Sequence, residues 1–274
     1  MQQNQSSVFI FNRHPTPIGK SNDYLQELPV ANMKVVSAVL NGRPRSCAEV
    51  YHQGFQKNGI FSIWPQFNSS ARLQLYAYCD MVTDGGGWTV VQRRGDFGGE
   101  HENFTRLWAD YKRGFGHVSR EFWLGLDPIY ALTHQEDVEL RIEIETWRGV
   151  KRFANYYEFQ IADESDFYRL TVGNFTGDVE DCFSSYHNGV LFSTIDSNNA
   201  GHKSRECARH QGEGGGWWYD NCYMVKLNSI FYPQGDVDRG QGVQWRCWSG
   251  YWYSLKHVEM KVRPLCFPEK CNKN

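Results

Sequence analysis

The stretch CARHQGEGGGWWYDNC, from Cys207 to Cys222, places two cysteines fifteen positions apart around three consecutive glycines and a cluster of Trp217, Trp218 and Tyr219. Aromatic bulk beside a backbone with almost no side chains predicts a rigid loop that packs on a core and leaves its rim open to solvent. If the two cysteines are bonded, closing a loop of about 15 residues stabilises the fold by roughly 3 kcal/mol in the chain-entropy picture. The stretch therefore indicates a binding surface and not a reaction centre.

The composition of the whole chain limits its class. With 274 residues, 41% of them hydrophobic, the chain has room for a sizeable core in one large or two small domains, and disorder over its whole length is excluded. An aromatic content of 15%, including ten tryptophans, favours a loop-rich protein that binds through its surface. A net charge of -2 argues against a nucleic-acid partner. No run of eighteen apolar residues occurs, so we expect no membrane span.

Eight cysteines, an even number, indicate an oxidising compartment, and we therefore expect a secreted, extracellular protein. Four N-glycosylation sequons begin at Asn4, Asn68, Asn103 and Asn174, and we predict glycosylation at the last three. No apolar signal segment follows Met1, so the chain is either a processed or partial one, or a cytosolic one with free thiols. We expect the former.

The chain divides into a linker or oligomerising stalk (1–45), one domain (46–265) and a short tail (266–274). Ser46 is a predicted helix N-cap with Glu49 at the capping-box position, and a helix is predicted over 122–135. The strand VELRIEIETW (138–147) alternates apolar with charged residues, which predicts a buried face opposite a solvated one. Further strands are predicted over 73–81, 88–94, 155–162, 167–175, 190–194 and near 253–264.

Five phrases of this sequence resemble the fibrinogen C-terminal domain, a family that includes ficolins, tachylectins, angiopoietins and the globular ends of fibrinogen and tenascins. They are CDMVTDGGGWTVVQRR (79–94), EFWLGLDPIYALT (121–133), SSYHNGVLFSTID (184–196), GGWWYDNC (215–222) and GYWYSLKHVEMKVRP (250–264). The resemblance covers about 46–265 and is nearest to the tachylectin and ficolin lectins. It implies an α+β fold with a small N-terminal subdomain, a mostly antiparallel central sheet and a loop-rich C-terminal subdomain that carries the ligand site.

The same resemblance implies two disulfides, Cys47–Cys79 and Cys207–Cys222. The other four cysteines are outside the family's basic set, and sequence alone leaves three pairings open. Bonds between Cys182 and Cys247 and between Cys266 and Cys271 would complete an even framework.

A calcium site is implied only weakly. Calcium-binding members carry a D-x-D-x-D run whose second and third acids are ligands, whereas this chain has Asp196-Ser197-Asn198-Asn199-Ala200. Asp196 and Asn198 retain side-chain oxygens, but Ala200 offers none, and calcium needs several oxygen ligands. We expect no cofactor, and chelation should barely change the melting temperature.

By resemblance, the recognition pocket lies beside the second cysteine of the Cys207–Cys222 pair. Lectin-type members hold an acetyl group there against a cis peptide, which corresponds here to Asn221–Cys222. The matching side chains are Tyr219, Tyr223, Arg239 and Trp245, with Tyr223 where many members have His and Arg239 where acetyl-binding members have Tyr. Because arginine favours planar acids, the pocket is either adapted to an anionic sugar or a protein side chain, or vestigial. An open hollow between these residues favours ligand capture, and a filled one favours a flat protein interface.

The sequence shows no G-x-S-x-G, H-E-x-x-H or Walker-type motif, and His187, the one histidine in a strong motif, is expected to be a buried structural residue. We therefore expect no enzyme activity. The leading hypothesis is a recognition protein of innate immunity that binds glycans or acetylated groups on microbial or cell surfaces, as a homo-oligomer that gains avidity. The alternative is an angiopoietin-like or matrix-type ligand that docks on a cell-surface receptor protein.

Overall fold

The structure, a computed structural model, describes residues 42–67, 74–201, 205–210 and 213–269. Most of the predicted stalk, the sequons at Asn4 and Asn68, and Cys271 lie outside these ranges. Across the described residues, no helix has the length and hydrophobicity that a membrane span requires.

The helices of the described part are short. In chain order they are α1 (Cys47–His52), α2 (Trp108–Arg113), α3 (Leu126–His134), α4 (Ser184–His187), α5 (Cys207–His210) and α6 (Arg246–Ser249). The strands are β1 (Gly59–Ile63), β2 (Leu75–Asp80), β3 (Trp88–Arg94), β4 (Phe115–Gly116), β5 (Phe122–Trp123), β6 (Val138–Glu145), β7 (Lys151–Ile161), β8 (Leu170–Gly177), β9 (Phe192–Ser193), β10 (Trp217–Trp218), β11 (Val225–Lys226), β12 (Gln244–Trp245) and β13 (His257–Pro264).

A nine-stranded sheet forms the centre of the fold, in the order β1-β2-β3-β13-β6-β7-β8, with β4 and β5 attached beside β3. All its pairings are antiparallel, which confirms the predicted mostly antiparallel central sheet. The last strand of the described residues, β13, inserts between β3 and β6, so the C-terminal segment supplies a central strand of the sheet. Two further two-stranded ladders, β9 with β10 and β11 with β12, belong to the loop-rich C-terminal part.

The N-terminal helix begins as predicted. Ser46 is the N-cap of α1, and its side chain accepts a hydrogen bond from the backbone N–H of Glu49. The Glu49 carboxylate, however, accepts from the backbone N–H of Arg45 at 2.7 Å and pairs with the Arg45 side chain. The hydrogen bond from the Glu49 N–H to the Ser46 side chain therefore forms as in a capping box, whereas the Glu49 carboxylate binds Arg45 and not the backbone N–H of Ser46. A disulfide between Cys47 and Cys79 joins α1 to β2.

The predicted helix over 122–135 starts later than expected. Phe122 and Trp123 form β5, which pairs with β3 and β4, and the helix begins only at Leu126 after Gly125. Both aromatic side chains are buried in the core. The pairing with β3 overrides the helical pattern there because the two residues complete the sheet.

The charged face of β6 is not solvated, and that prediction was wrong. Glu139 is only 5% exposed and pairs with Arg263 at 2.7 Å. The Lys261 ammonium is buried and contacts carboxylate oxygens of Asp80 and Glu143 at 2.7 Å and of Glu259 at 3.1 Å. Although burial raises the pKa of Asp80, the Lys261 charge holds it well below its ordinary value. Charged side chains of β2, β6 and β13 thus meet on one face as a paired network.

Candidate functional site

Disulfides anchor the C-terminal part of the chain. Cys207 is bonded to Cys222, with their Cα atoms 5.1 Å apart, and Cys182 is bonded to Cys247 with a Cα separation of 6.2 Å. Cys266 is also disulfide-bonded, while Cys271 lies outside the described residues. The Cys182–Cys247 bond ties the segment before α4 to α6.

The glycine and tryptophan stretch packs on the core as its composition predicts. Trp217, Trp218 and Tyr219 are fully buried, and the Trp218 indole N–H donates to the backbone oxygen of Tyr168 at 2.8 Å. A Cβ on Gly215 would lie 2.1 Å from the backbone oxygen of Asn228, so glycine is required for this close approach of two backbones. The described residues 213–222 therefore form a packed, rigid segment, which we call the floor, and they surround no open cavity.

His187 holds this floor to the next strand. Its Nε2 accepts hydrogen bonds from the backbone N–H groups of Met224 (3.2 Å) and Val225 (3.0 Å), so Nδ1 carries the proton and donates to the oxygen of Trp218 at 2.7 Å. Burial lowers the pKa of His187 to about 4, and the ring is neutral at neutral pH. Both ring nitrogens of His187 are hydrogen-bonded to backbone groups, so the role of this side chain is structural.

Of the six residues predicted to bind ligand, four are buried. Tyr219, Tyr223, Trp245 and Cys222 lie in the core, and the Tyr223 hydroxyl donates to Gln244 Oε1 at 2.8 Å. Only Asn221 and Arg239 are exposed to solvent. The hollow expected between these side chains is filled by the side chains themselves.

The peptide between Asn221 and Cys222 is trans, contrary to the expectation from the resemblance. Within the described ranges the one cis bond is Phe267–Pro268. The chain turns here through Cys222, which adopts a left-handed φ of 62°, and the N–H of Asp220 donates to the oxygen of Cys222 at 3.2 Å. A left-handed residue costs less than a cis bond before a residue other than proline, which requires about 3 kcal/mol.

The structure adds two residues that sequence reasoning missed. The guanidinium carbon of Arg246 lies 3.5 Å from the ring centroid of Tyr251, and that of Arg239 lies 5.0 Å from the same centroid. We call Arg239, Arg246 and Tyr251 the two-arginine surface. Arg246 Nη1 donates to the backbone oxygen of Tyr223 at 2.7 Å, while its Nε has no hydrogen-bond partner. In the described part of the chain, neither guanidinium has a carboxylate within 4.0 Å. Arg246 is the one arginine in the aromatic-rich run VQWRCWSGYWY (243–253), and no pattern in the sequence marks it as a site residue.

The polar loop 233–242 is attached to the rest of the domain at its C-terminal end. Glu213 is half-buried, and its carboxylate accepts hydrogen bonds from the Gly242 N–H at 2.6 Å and from Lys226 Nζ at 3.3 Å. Lys226 Nζ also donates to the oxygen of Gly240 at 2.6 Å. Burial lowers the pKa of Lys226 to about 8, although the Glu213 charge opposes this. These contacts fix the backbone next to Arg239.

The residues at the family's calcium position do not fit that ion. Asp196 supplies a single carboxylate, whose Oδ1 already accepts from the Trp108 N–H at 2.8 Å and the Thr194 hydroxyl at 2.7 Å. Ala200 is buried and offers no side-chain oxygen, so the donor set has too few carboxylates for calcium. The one group of three clustered acids among the described residues, on β2, β6 and β13, surrounds the Lys261 ammonium.

Two predicted glycosylation sites are accessible. Asn103 and Asn174 are both exposed, and Asn103 Oδ1 accepts from the N–H of Thr105 at 2.9 Å. Glycosylation itself stays a prediction.

Comparison with known proteins identifies the fold's family. The family model described as the C-terminal globular domain of fibrinogen beta and gamma chains matches residues 43–265. The chain belongs to this family. Techylectin-5A of Tachypleus tridentatus is 41% identical to this fibrinogen-like chain over 234 residues, which are 85% of this chain and 78% of the relative.

Solved structures of similar proteins have the same fold. The fibrinogen-like globe domain of human ANGPTL2 is 38% identical, with a TM-score of 0.75, and the match covers 81% of this chain and 99% of that one. Lamprey fibrin D-dimer, complexed with the peptide ligand Gly-His-Arg-Pro-amide, is 30% identical, with a TM-score of 0.76 and coverage of 89% and 80%. The predicted family and its α+β fold are thereby confirmed. The relatives include a lectin and an angiopoietin-like protein, so membership alone leaves the ligand open.

Proposed function

We propose that this fibrinogen-like chain is a secreted, non-catalytic recognition domain that binds carbohydrate through the two-arginine surface. The main observation behind this proposal is that the guanidinium carbons of Arg239 and Arg246 lie 5.0 and 3.5 Å from the ring centroid of Tyr251. Neither arginine has a carboxylate partner in the described part of the chain. The surface adjoins the Cys207–Cys222 stretch, because Arg246 donates to the backbone oxygen of Tyr223, the residue after Cys222; that stretch is closed by a disulfide and its aromatic side chains are buried. The lectin relative supports the carbohydrate class, and the disulfides and exposed sequons support secretion.

Capture of an acetyl group in an enclosed hollow is not the binding mode that this geometry favours. Tyr223 is 3% exposed and hydrogen-bonded to Gln244, and Tyr219 and Trp245 are fully buried. A ligand group would have to displace packed aromatic side chains, which loses the contacts that stabilise the floor. Binding at the exposed edge requires no such rearrangement.

A protein receptor is the second candidate, and the filled hollow favours it. Protein interfaces also need a cluster of aromatic anchors. In the described residues of the C-terminal segment from 213 to 264, the large exposed hydrophobic side chains are Ile230 (45%) and Trp252 (60%). Two such residues form no extended apolar patch, and the small charged surface suits a sugar better.

The chemistry of the described part supports a non-catalytic role. His187 has no free nitrogen for proton transfer, because both ring nitrogens are hydrogen-bonded to backbone groups. Single carbohydrate sites are commonly weak, so we propose that copies of this chain act together as a homo-oligomer on microbial or cell surfaces.

A glycan array with oligomerically presented protein tests the proposal. We expect selective binding by the wild type and a loss of signal for Arg239→Ala. The matched control is Arg43→Ala, which removes an exposed arginine beside α1. If no glycan binds, or if Arg239→Ala leaves every signal unchanged, carbohydrate recognition through this surface is wrong.

A further inference from the structure

We propose that Arg239 and Arg246 together bind the carboxylate of an acidic sugar, such as a uronic or sialic acid residue in a glycan. This inference rests on the proposed function and names its ligand class. Arg246, which no sequence pattern assigned, is the second half of the site.

The geometry of Arg246 prepares it to receive an anion. Its guanidinium is held against Tyr251 at 3.5 Å, and Nη1 is fixed by the oxygen of Tyr223. The Tyr251 backbone is fixed in turn, since its oxygen accepts from the Gly240 N–H at 2.7 Å and from Gln244 Nε2 at 2.9 Å. The next residue, Cys247, is disulfide-bonded to Cys182. Arginine carries five N–H donors in a planar fork, so donors remain for a ligand oxygen after the single bond to Tyr223.

Among the described residues, Arg239 and Arg246 lack the carboxylate partners that the buried arginines have. Elsewhere, the buried arginines Arg93, Arg94 and Arg263 each pair with a glutamate at 2.6 to 3.1 Å. Three carboxylates lie in the wider surroundings of the two-arginine surface. The charge of Glu213 influences the pKa of Tyr223, as the charges of Arg239 and Arg246 do, but Glu213 is already paired with Lys226. The charge of Asp238 influences the pKa of Tyr232, and that of Asp220 influences the pKa of Tyr186. Burial lowers the pKa of Arg246, and the Arg239 charge lowers it further, which reflects repulsion between two like charges. A bound anion relieves that repulsion.

A carboxylate matches this arrangement better than a polyphosphate does. The chain has a net charge of -2, so nothing supplies the concentrated basic excess that nucleic acids or other polyanions require. Two planar forks match one planar carboxylate, which can accept two hydrogen bonds from each arginine in turn. Asn221 is exposed nearby, with its backbone oxygen held by the Tyr186 hydroxyl at 2.7 Å, and its amide can contact sugar hydroxyls.

The test uses paired glycoconjugates that differ only in charge. Surfaces bearing glucuronic acid or N-acetylneuraminic acid are compared with the same conjugates as methyl esters, for the wild type and for Arg239→Gln and Arg246→Gln. We expect the esters to bind at least about 10-fold more weakly than the acids, and each variant to lose about 10-fold to 100-fold in affinity for the acids. Arg246→Lys, which keeps the charge but not the fork, should recover only part of the loss. Arg43→Gln should bind as the wild type does.

Each other outcome has a distinct meaning. Equal binding of acid and ester by the wild type overturns the inference while carbohydrate recognition through this surface stands. Variants that bind acids as the wild type does overturn both the inference and the use of the two-arginine surface. Binding of poly-L-glutamate as strong as that of the acidic sugars assigns the site to proteins and also overturns it. If no glycan binds at all, the proposed function fails and this inference with it. If Arg246→Gln does not fold, Arg239→Gln decides alone, because the Arg239 side chain is exposed.

Discussion

Acid should weaken the C-terminal subdomain through one side chain, the buried imidazole of His187. Its Nε2 accepts two backbone hydrogen bonds and loses both when protonated. The pKa is lowered from 6.5 to about 4 because the ring is buried. Between these values the unfolded chain binds a proton that the folded chain does not, so the stability is complete above pH 6.5 and is lost as the pH falls towards 4. With 1.36 kcal/mol for each unit of pKa difference, the total is about 3 kcal/mol, most of which is lost by pH ~4.5.

The assay is urea unfolding of the wild type and of His187→Gln at pH ~7.5 and pH ~4.5, with disulfides intact. Glutamine keeps an amide donor and an oxygen acceptor but does not titrate. The variant should be less stable than the wild type at the higher pH, and this difference in unfolding free energy should shrink by about 2 to 3 kcal/mol at the lower pH. His210→Gln, which changes an exposed ring, is the matched control. If wild type and His187→Gln lose the same stability between the two pH values, the reasoning is refuted.

Three further perturbations have defined outcomes. Replacing both Cys182 and Cys247 by serine opens a loop of 65 residues and should cost about 4 kcal/mol of unfolding free energy by urea titration; an unchanged midpoint would contradict the anchoring role. Chelation should move the melting temperature by less than about 1 °C, because the Asp196 run lacks carboxylates, and a large calcium-dependent rise would refute this. Lys261→Met removes a cation shared by three carboxylates: among the described residues Glu259 keeps Arg93 and Glu143 keeps Arg141, whereas Asp80 loses its ion-pair partner. The variant should be less stable by about 3 to 5 kcal/mol, and a variant as stable as the wild type would contradict this role of Lys261.

Local patterns in the sequence predicted local structure well. Ser46 caps α1, and β3 spans the predicted residues 88–94, because side-chain hydrogen bonding and alternation act over a few residues. The pairing Cys182–Cys247 was one of three open possibilities, and only the three-dimensional arrangement selects it. The insertion of β13 between β3 and β6 depends on contacts between distant segments, which periodicity does not encode.

The errors about charged and aromatic residues share one cause. The row containing Glu139 and Glu143 has the pattern of a solvated face, but Lys261 and Arg263, more than a hundred residues away, neutralise it. Tyr223 is typical of a pocket wall, yet Gln244 satisfies its hydroxyl and allows it to be buried. A residue's type states what it needs as a partner, and the fold decides whether that partner is present.

In the candidate site, the sequence could not show that an expected partner is absent. Arg239 was identified by its place in the family's motif, whereas Arg246 was missed because sequence does not reveal which arginines lack a carboxylate. Its distance from Tyr251 and the absence of an ion pair in the described residues make it a candidate. The carbohydrate hypothesis is thereby moved from the aromatic hollow to its exposed edge.

A competition measurement tests that relocation most directly. Wild-type protein bound to an immobilised glucuronic acid conjugate is challenged with increasing free glucuronate or free N-acetylglucosamine. We expect displacement by glucuronate and none by N-acetylglucosamine, because the acid binds the two-arginine surface and the hollow is filled. Displacement by N-acetylglucosamine with no effect of glucuronate would contradict it.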